Sequence, residues 1–421
     1  MSFTDHLNPN GLGESVDVFS TSPAFTHHDL PLLAAFNPAF VITSSGTMLA
    51  FAEGRLGCSH DAALKTVLIN RSRDLGRTWE GMEALTVPGC HFGPRPYAFV
   101  TDGRERIGVL VVHTPYGLNQ QRSDVSQWLD QLEIDPADMR PNAACVVIRL
   151  ISDDDGETWH QEALTAERDP FADFQKKGFW VGVNDFTGTV QTIPSGPHAG
   201  RQIVAMLTMG TEWQNRPAQL PGNHLDMGRL GSSLIYTDDG ESWHLGGVIA
   251  DQRGNEAATA SIARDGRILM LRRPNGFTAE DLNHNPNCTI GYRMLHTSTD
   301  GGETWSAPVF PEGLPYLKQG GRRYDHQCLP SLCARDNTLL TATPSAVDRD
   351  AGTTPRTHGV IGYSDDLGVT WRHRLIEAGG FSYATIGPVG DEGLIVMFSR
   401  GVHGQEASCL RAFTMDWLRD A

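Results

Sequence analysis

Ser72-Arg73-Asp74-Leu75-Gly76-Arg77-Thr78-Trp79 is an eight-residue segment whose pattern occurs five times along the 421-residue chain. The other four copies occupy residues 152–159, 236–243, 298–305 and 364–371. In each copy an Asp can accept hydrogen bonds from the turn, a Gly can adopt positive φ, and a Trp can pack on a sheet. We call each copy a Trp turn and predict that it joins two antiparallel strands, with Asp238 as the acceptor in the third copy.

A second repeated feature alternates with the Trp turns. It is a two-residue turn followed by a short apolar strand, and it occurs at Ser45-Gly46, Asp102-Gly103, Ser195-Gly196, Asp265-Gly266, Asp336-Asn337 and Glu392-Gly393. Six inner hairpins and five outer ones predict an all-β fold, a six-bladed β-propeller of four-stranded antiparallel blades. The last blade lacks an outer strand, which residues 15–19 can supply, and this closure removes exposed sheet edges. We therefore expect residues 1–421 to form a single β-propeller catalytic domain.

The repeated Asp residues invite a metal or catalytic interpretation. Five copies on five blades cannot all line one site, so we interpret them as structural turn residues. No His, Cys or Asp cluster has a convincing metal-ligand spacing, and we expect no metal and no cofactor.

Composition limits the partners of the chain. Its formal net charge is −16 and no basic run occurs, which excludes nucleic acid and anionic membrane surfaces as expected partners. No apolar run reaches the roughly 18 residues that span a bilayer, and the first 31 residues do not resemble a secretory signal. Seven Cys without paired spacing favour free thiols, so we predict a cytoplasmic protein.

The Trp turns resemble the Asp-box (BNR) repeats of the sialidase (neuraminidase) superfamily, and the resemblance extends through nearly the whole chain. Gly46-Thr-Met-Leu-Ala-Phe-Ala-Glu-Gly-Arg55 is similar to a family segment whose Arg lines the substrate pocket. In the family an acid/base Asp follows on a loop, and this sequence offers Asp61, with His60 beside it. The resemblance therefore implies a carbohydrate-processing enzyme with Arg55 and Asp61 in its site.

Four further residues match family positions. Glu256 matches the catalytic Glu, Arg273 and Arg356 match carboxylate-binding arginines, and the segment Phe381-Ser-Tyr383-Ala-Thr-Ile386 matches the one that carries the nucleophilic Tyr. Each could alone be an ordinary core or surface residue, but together they imply one site.

These implied roles are chemically coherent. A sialic acid carries a carboxylate on its anomeric carbon, and arginine forks bind carboxylates firmly. That carboxylate would repel an anionic nucleophile, whereas a neutral Tyr avoids the repulsion and a neighbouring Glu can deprotonate it. An Asp then protonates the leaving oxygen.

Two departures from the family pattern bear on the substrate. The family's first Arg lies in a Phe/Tyr-Arg-Ile-Pro motif, but this chain has Ala35-Phe36-Asn37-Pro38-Ala39. The Glu that supports that Arg in the family is replaced by Ser399. Both members of an ion pair are absent together, which predicts a changed pocket with Asn37 as a substrate-binding residue and puts sialic acid itself in doubt.

The sequence favours a retaining, sialidase-like exo-glycoside hydrolase that releases a terminal acidic sugar. A second hypothesis is a propeller-type polysaccharide lyase or rhamnosidase acting on uronate-containing glycans, with Tyr383 or His60 as base and Arg273 or Arg356 neutralising the carboxylate. A third is a glycan-binding propeller without activity, against which the matched Tyr, Glu and Arg positions count.

Overall fold

Six antiparallel sheets follow one another along the chain and contain almost all of the regular structure. The computed structural model describes residues 3–21, 24–57, 59, 63–86, 89, 91–113, 146–164, 170, 186–209, 230–249, 254–274, 293–314, 318–319, 322–323, 328, 331–347, 356–401 and 407–420. Within these ranges, no helix is long and apolar enough to cross a bilayer.

The strands are short and regular. In chain order the first thirteen are β1 (Val16–Phe19), β2 (Thr26–His27), β3 (Leu30–Ile42), β4 (Met48–Leu56), β5 (Leu64–Ser72), β6 (Glu83–Ala84), β7 (His91–Thr101), β8 (Arg104–His113), β9 (Val146–Ser152), β10 (His160–Ala163), β11 (Phe186–Thr192), β12 (Gln202–Met209) and β13 (Leu230–Thr237). The other thirteen are β14 (His244–Ile249), β15 (Gly254–Ser261), β16 (Ile268–Pro274), β17 (Met294–Ser298), β18 (Lys318–Gln319), β19 (Arg322–Arg323), β20 (Cys333–Arg335), β21 (Thr338–Val347), β22 (Arg356–Ser364), β23 (Arg372–Gly380), β24 (Ser382–Val389), β25 (Gly393–Arg400) and β26 (Ala407–Thr414). A 3-10 helix (Phe3–His6) lies near the start of the chain, and helix α1 (Met415–Arg419) follows β26.

The six sheets are the six predicted blades. Blade 1 is β2-β3-β4-β5-β6, blade 2 is β7 to β10, blade 3 is β11 to β14, blade 4 is β15 to β17, and blade 5 is β20 to β23. In blade 4 the outer position is taken by Val309, which bridges Leu295. Blade 6 is β24-β25-β26-β1, and its outer strand pairs Val16 with Leu410. The prediction of a six-bladed β-propeller closed by an N-terminal strand is confirmed.

The hydrophobic core lies between the blades. Six clusters of buried apolar side chains occupy the six interfaces between consecutive blades. The interface of blades 2 and 3, for example, packs Tyr97 edge-on against Trp243 with ring centroids 5.2 Å apart. Each sheet is thus covered on both faces, and this is why β4 is buried along its whole length.

Four of the five Trp turns are built as predicted. Asp74, Asp154, Asp300 and Asp366 each accept hydrogen bonds from the backbone N–H and the hydroxyl of the Thr four residues later. The turn glycine adopts positive φ, as at Gly302 (φ 93°). The Trp turns are therefore structural, as their repetition indicates.

The prediction for the third Trp turn is wrong. Its acceptor is Asp239, which receives the Ser242 N–H at 2.7 Å and the Thr237 hydroxyl at 2.9 Å, whereas Asp238 accepts from Arg201. The first position of this turn holds Tyr236, whose side chain has no hydroxyl on Cβ, so Thr237 makes that bond and moves the acceptor along by one residue.

Three cysteines fall in the described part of the chain, Cys328, Cys333 and Cys409, and all three are buried free thiols. Burial raises the pKa of Cys333 and of Cys409 to about 12. These thiols therefore stay protonated at neutral pH. The cytoplasmic location stays a prediction.

Candidate active site

β-Bulges interrupt the inner strands of five blades. They lie between Phe36 and Ala39, Phe92 and Arg95, Thr187 and Gln191, Gly254 and Ala257, and Ser382 and Ala384. The bulges of β7, β15 and β24 fall within the first five residues of their strands, whereas that of β3 lies near the middle and that of β11 spans most of a short strand. The bulges of β3, β15 and β24 meet at one end of the central axis, because Phe36 contacts Tyr383 and Tyr383 contacts Glu256. They turn side chains out of the regular pleat there.

Tyr383 and Glu256 meet at this end, although they come from blades 6 and 4. Tyr383 is the bulged residue of β24 and has a φ of 29°, a conformation that costs a non-glycine residue energy. Its Oη donates to Glu256 Oε1 at 3.4 Å. The phenol of blade 6 and the carboxylate of blade 4, two blades that are not neighbours in the ring, therefore lie side by side.

Arg273 contacts both of these groups. Its Nη1 lies 2.6 Å from Glu256 Oε2 and 3.4 Å from Tyr383 Oη. The three side chains form a closed triangle, partly open to solvent.

Arg356 adds a second guanidinium beside Tyr383. Its Cζ lies 5.3 Å from the centroid of the Tyr383 ring, within the range of a cation–π contact. Its carbonyl accepts the Phe381 N–H at 2.8 Å, which ties the start of β22 to the segment before Tyr383. Blade 5 thereby positions both the Arg356 guanidinium and the start of β24, the strand that carries Tyr383.

Arg55 contacts the ring of Phe36, which in turn contacts Tyr383. Its Cζ lies 4.4 Å from the Phe36 centroid, and the Phe36 ring lies 4.3 Å from the Tyr383 ring. Its Nε is held 2.9 Å from Glu53 Oε1, and both members of this ion pair are almost fully buried. Five predicted site residues are therefore brought together: Arg55, Glu256, Arg273, Arg356 and Tyr383.

Asn37 lies at the bulge of β3 and is bound to a residue that the sequence analysis missed. Its Oδ1 accepts from Arg95 Nη2 at 2.8 Å, and Arg95 is completely buried. The signal for Arg95 was present, since it is the one arginine in the run Gly93-Pro94-Arg95-Pro96-Tyr97. Phe36 and Glu53 were also missed as contacts of the site; Glu53 could have been found because residues two apart on a strand share a face.

Two predicted residues, His60 and Asp61, lie outside the described residues. Ser59, just before them, accepts from Arg55 Nη1 at 2.9 Å. Ser399 is fully buried, pairs with Ser382 across the sheet, and has no hydrogen-bond partner for its Oγ among the described residues. Within the same ranges, no three or more His, Cys, Asp or Glu side chains lie close enough to hold a metal ion.

Comparisons with known proteins find similarity to an Asp-box repeat family and to sialidases. The family described as the BNR/Asp-box repeat matches residues 296–307, which include the fourth Trp turn. The sialidase of Micromonospora viridifaciens is 25% identical over 391 residues, which cover 90% of this chain and 51% of that protein. The sialidase of Bacteroides fragilis is 24% identical over 400 residues, with coverages of 88% and 60%. The chain thus spans about half to three fifths of the length of these relatives.

Solved structures share the fold. The Trypanosoma rangeli sialidase in complex with 2,3-difluorosialic acid superposes with a TM-score of 0.61 at 15% identity, over 98% of this chain and 59% of that one. These similarities agree with the five Trp turns and the six closed blades. The chain is a six-bladed Asp-box β-propeller with the fold of the sialidase superfamily.

Proposed function

We propose that the chain is a retaining exo-glycoside hydrolase that releases a terminal acidic sugar, with Tyr383 as nucleophile and Glu256 as its base. One observation carries this proposal: a strained tyrosine whose hydroxyl lies 3.4 Å from a carboxylate oxygen, at the end of the axis where the inner-strand bulges gather. A phenol beside a base is the arrangement that nucleophilic catalysis requires.

Arg273 suits the proton transfer that this chemistry needs. When Glu256 accepts the proton of Tyr383, the negative charge moves from the carboxylate to the phenolate oxygen. Arg273 Nη1 is within 3.4 Å of both positions, so it can stabilise the charge before and after transfer. A fixed donor that serves both states lowers the barrier without reorganising.

The remaining groups suit an acidic sugar. Arg356 and Arg273 both lie beside Tyr383, where they can hold a carboxylate next to the reacting carbon. Asp61 is the proposed acid for the leaving oxygen. The segment Phe36-Asn37 and Ser399 stand where the sialidase pattern has an Arg and a Glu, so we propose a sugar acid related to sialic acid, with ordinary sialosides as poor substrates. A carbohydrate partner and a cytoplasmic location belong to the same proposal.

The test begins with a panel of aryl glycosides and ketosides of acidic sugars, read for released aglycone. The Trypanosoma rangeli sialidase forms a covalent intermediate with 2,3-difluorosialic acid. A difluoro derivative of the sugar that the panel identifies should likewise add to this chain, with peptide mass spectrometry placing the adduct on Tyr383. An adduct on another residue would contradict the assigned nucleophile.

The Tyr383→Phe variant removes the attacking oxygen and little else. Activity should fall by about a thousandfold or more. The free energy of unfolding should change by only about 1 kcal/mol, because only one hydroxyl is removed. Tyr363→Phe is the matched control, because Tyr363 is a buried tyrosine of blade 5 outside the site. An unsaturated product instead of a hydrolysed one would replace this proposal with the lyase hypothesis.

A further inference from the structure

The Arg55 guanidinium is enclosed by contacts within the protein. Its Nε lies 2.9 Å from Glu53 Oε1, its Nη1 donates to Ser59 O at 2.9 Å, and its Cζ lies 4.4 Å from the centroid of the Phe36 ring. Only 4% of the Arg55 side chain is exposed. The guanidinium is therefore fixed by protein groups and presents almost no surface to a substrate.

The charge of Arg55 is also balanced within the protein. Glu53 is 2% exposed, so the two groups form a buried ion pair with no net charge. A substrate carboxylate that approached Arg55 would meet the Glu53 carboxylate as well, and like charges repel strongly in a buried place. Arg356, the guanidinium beside Tyr383, is by contrast partly exposed. The buried pair is thus poorly suited to hold an acidic sugar.

Phe36 connects this ion pair to the proposed nucleophile. Its ring contacts the Arg55 guanidinium and lies 4.3 Å from the Tyr383 ring. Tyr383 has a φ of 29°, which costs energy and persists only where neighbouring groups impose it. A cation–π contact restrains the ring that makes it, because the attraction requires the cation to lie over the ring face. Phe36 is therefore held in the position from which it restrains Tyr383.

We propose that Arg55 and Glu53 are positioning residues that hold Phe36 in place. Phe36 in turn keeps the Tyr383 hydroxyl beside Glu256, and Arg55 does not bind the substrate. This inference rests on the proposed function and adds to it a buried group of residues that acts through the nucleophile. The role of Arg55 thereby changes from contact with the sugar, which the resemblance implies, to support of the tyrosine.

Phe36→Leu tests the contact with Tyr383, because it removes the ring and creates no buried charge. The probe is the aryl glycoside or ketoside that the wild-type chain hydrolyses. We expect kcat to fall by roughly tenfold to a hundredfold, since a displaced nucleophile reacts more slowly, and KM to change by less than about twofold. Phe51→Leu is the matched control: Phe51 is fully buried in the same blade and packs on Trp159. It should lower the melting temperature and leave kcat unchanged.

A second variant tests the ion pair. Replacing Arg55 alone would leave Glu53 as an unpaired buried charge, which is strongly destabilising, so both charges are removed together in Glu53→Gln/Arg55→Met. We expect this paired variant to lower kcat in the same way as Phe36→Leu, so that combining it with Phe36→Leu lowers kcat little further. If Arg55 bound the substrate, the paired variant would instead raise KM, and its effect would multiply with that of Phe36→Leu.

The outcomes are distinguishable. An active wild-type chain whose Phe36→Leu variant keeps its kcat overturns the inference and leaves the proposed function standing. So does a loss of kcat in Phe51→Leu as large as in Phe36→Leu, because the effect would then follow stability alone. A paired variant with a raised KM and an unchanged kcat returns Arg55 to the substrate and likewise overturns the inference. A wild-type chain that hydrolyses none of the acidic glycosides overturns the proposed function and this inference with it.

Discussion

At the scale of single residues, the candidate site is built from backbone conformations that ordinary residues avoid. Asn37 and Tyr383 have φ values of 55° and 29°, and both lie in the contacts described above. Such conformations cost about 1 kcal/mol or more each and persist where surrounding packing imposes them. In Tyr383 this strain falls on the residue whose hydroxyl meets Glu256, which is where strain at a functional site is expected.

Phe36 and Ser399 provide a prediction at this scale. Phe36→Arg alone places an unpaired charge in a buried position and should destabilise the protein by about 3 kcal/mol or more. Adding Ser399→Glu supplies the missing partner. Ser399 pairs with Ser382, the residue before Tyr383, and the Tyr383 ring contacts Phe36. The double variant should therefore be more stable than Phe36→Arg alone and should gain activity on sialosides.

A double-mutant cycle with denaturant unfolding and sialoside kinetics measures both effects. Additive destabilisation by the two substitutions would show that they do not form an ion pair. Wild-type protein that already cleaves sialosides efficiently would show that the pocket has not changed its preference.

At the scale of elements, the Trp turns stabilise the propeller both within a blade and between blades. Each turn satisfies its own backbone, and three of the turns also accept a hydrogen bond from an arginine of the preceding blade. Arg71 donates to Gly156 O at 3.2 Å, Arg149 donates to Gly240 O at 2.9 Å, and Arg201 donates to Gly301 O at 3.3 Å. The same turn therefore closes a hairpin and fastens one blade to the next.

The turn carboxylates predict how stability depends on pH. Partial burial opposes ionisation of Asp300, but hydrogen bonds from Thr304 and Ser298 outweigh it and lower its pKa from 3.8 to about 2. A carboxyl whose folded pKa lies below its unfolded one contributes stability above about pH 4, and this contribution is lost as the pH falls toward 2.

Asp300→Asn should therefore unfold at lower denaturant concentration than wild type at about pH 5 and by a smaller margin at about pH 3. Urea unfolding at the two pH values measures the difference. A margin that grows on acidification would mean that ionised Asp300 does not stabilise the fold. Asp391→Asn removes an exposed carboxylate outside the Trp turns and controls for the general effect of removing one negative charge.

At the scale of the whole molecule, closure depends on β1. This strand comes from the start of the chain and pairs with β26 near its end, with Val16 opposite Leu410. Phe19 is completely buried in the cluster between blades 6 and 1. A propeller without this strand would leave one blade edge open and one interface incomplete.

Phe19→Ala should consequently destabilise the whole propeller by about 3–5 kcal/mol, the usual cost of deleting a buried aromatic ring. Thermal unfolding should show one transition at lower temperature rather than local loss of β1. Val100→Ala is the control, because Val100 is 67% exposed and its truncation should change little. A Phe19→Ala protein as stable as wild type would mean that closure does not depend on this strand.

The sequence by itself determined the blade count, the order of the strands and the closing partner, because these follow from local turn chemistry repeated along the chain. A Trp turn is specified within eight residues, so the pattern can be read without knowing its neighbours; it misled only at Asp238, where Tyr236 replaced the usual hydroxyl. Resemblance to known proteins added the residues Arg55, Glu256, Arg273, Arg356 and Tyr383. The roles of His60 and Asp61 stay predictions.

Only the tertiary structure decided how those residues face one another. The contact of Phe36 with Tyr383 and the bond from Arg95 to Asn37 join residues that are far apart in sequence and lie on different blades. Bulges in the inner strands aim these side chains, and no local pattern records where a bulge will fall. Their geometry follows from six blades closing around one axis, which brings distant strand ends within a few ångströms of each other.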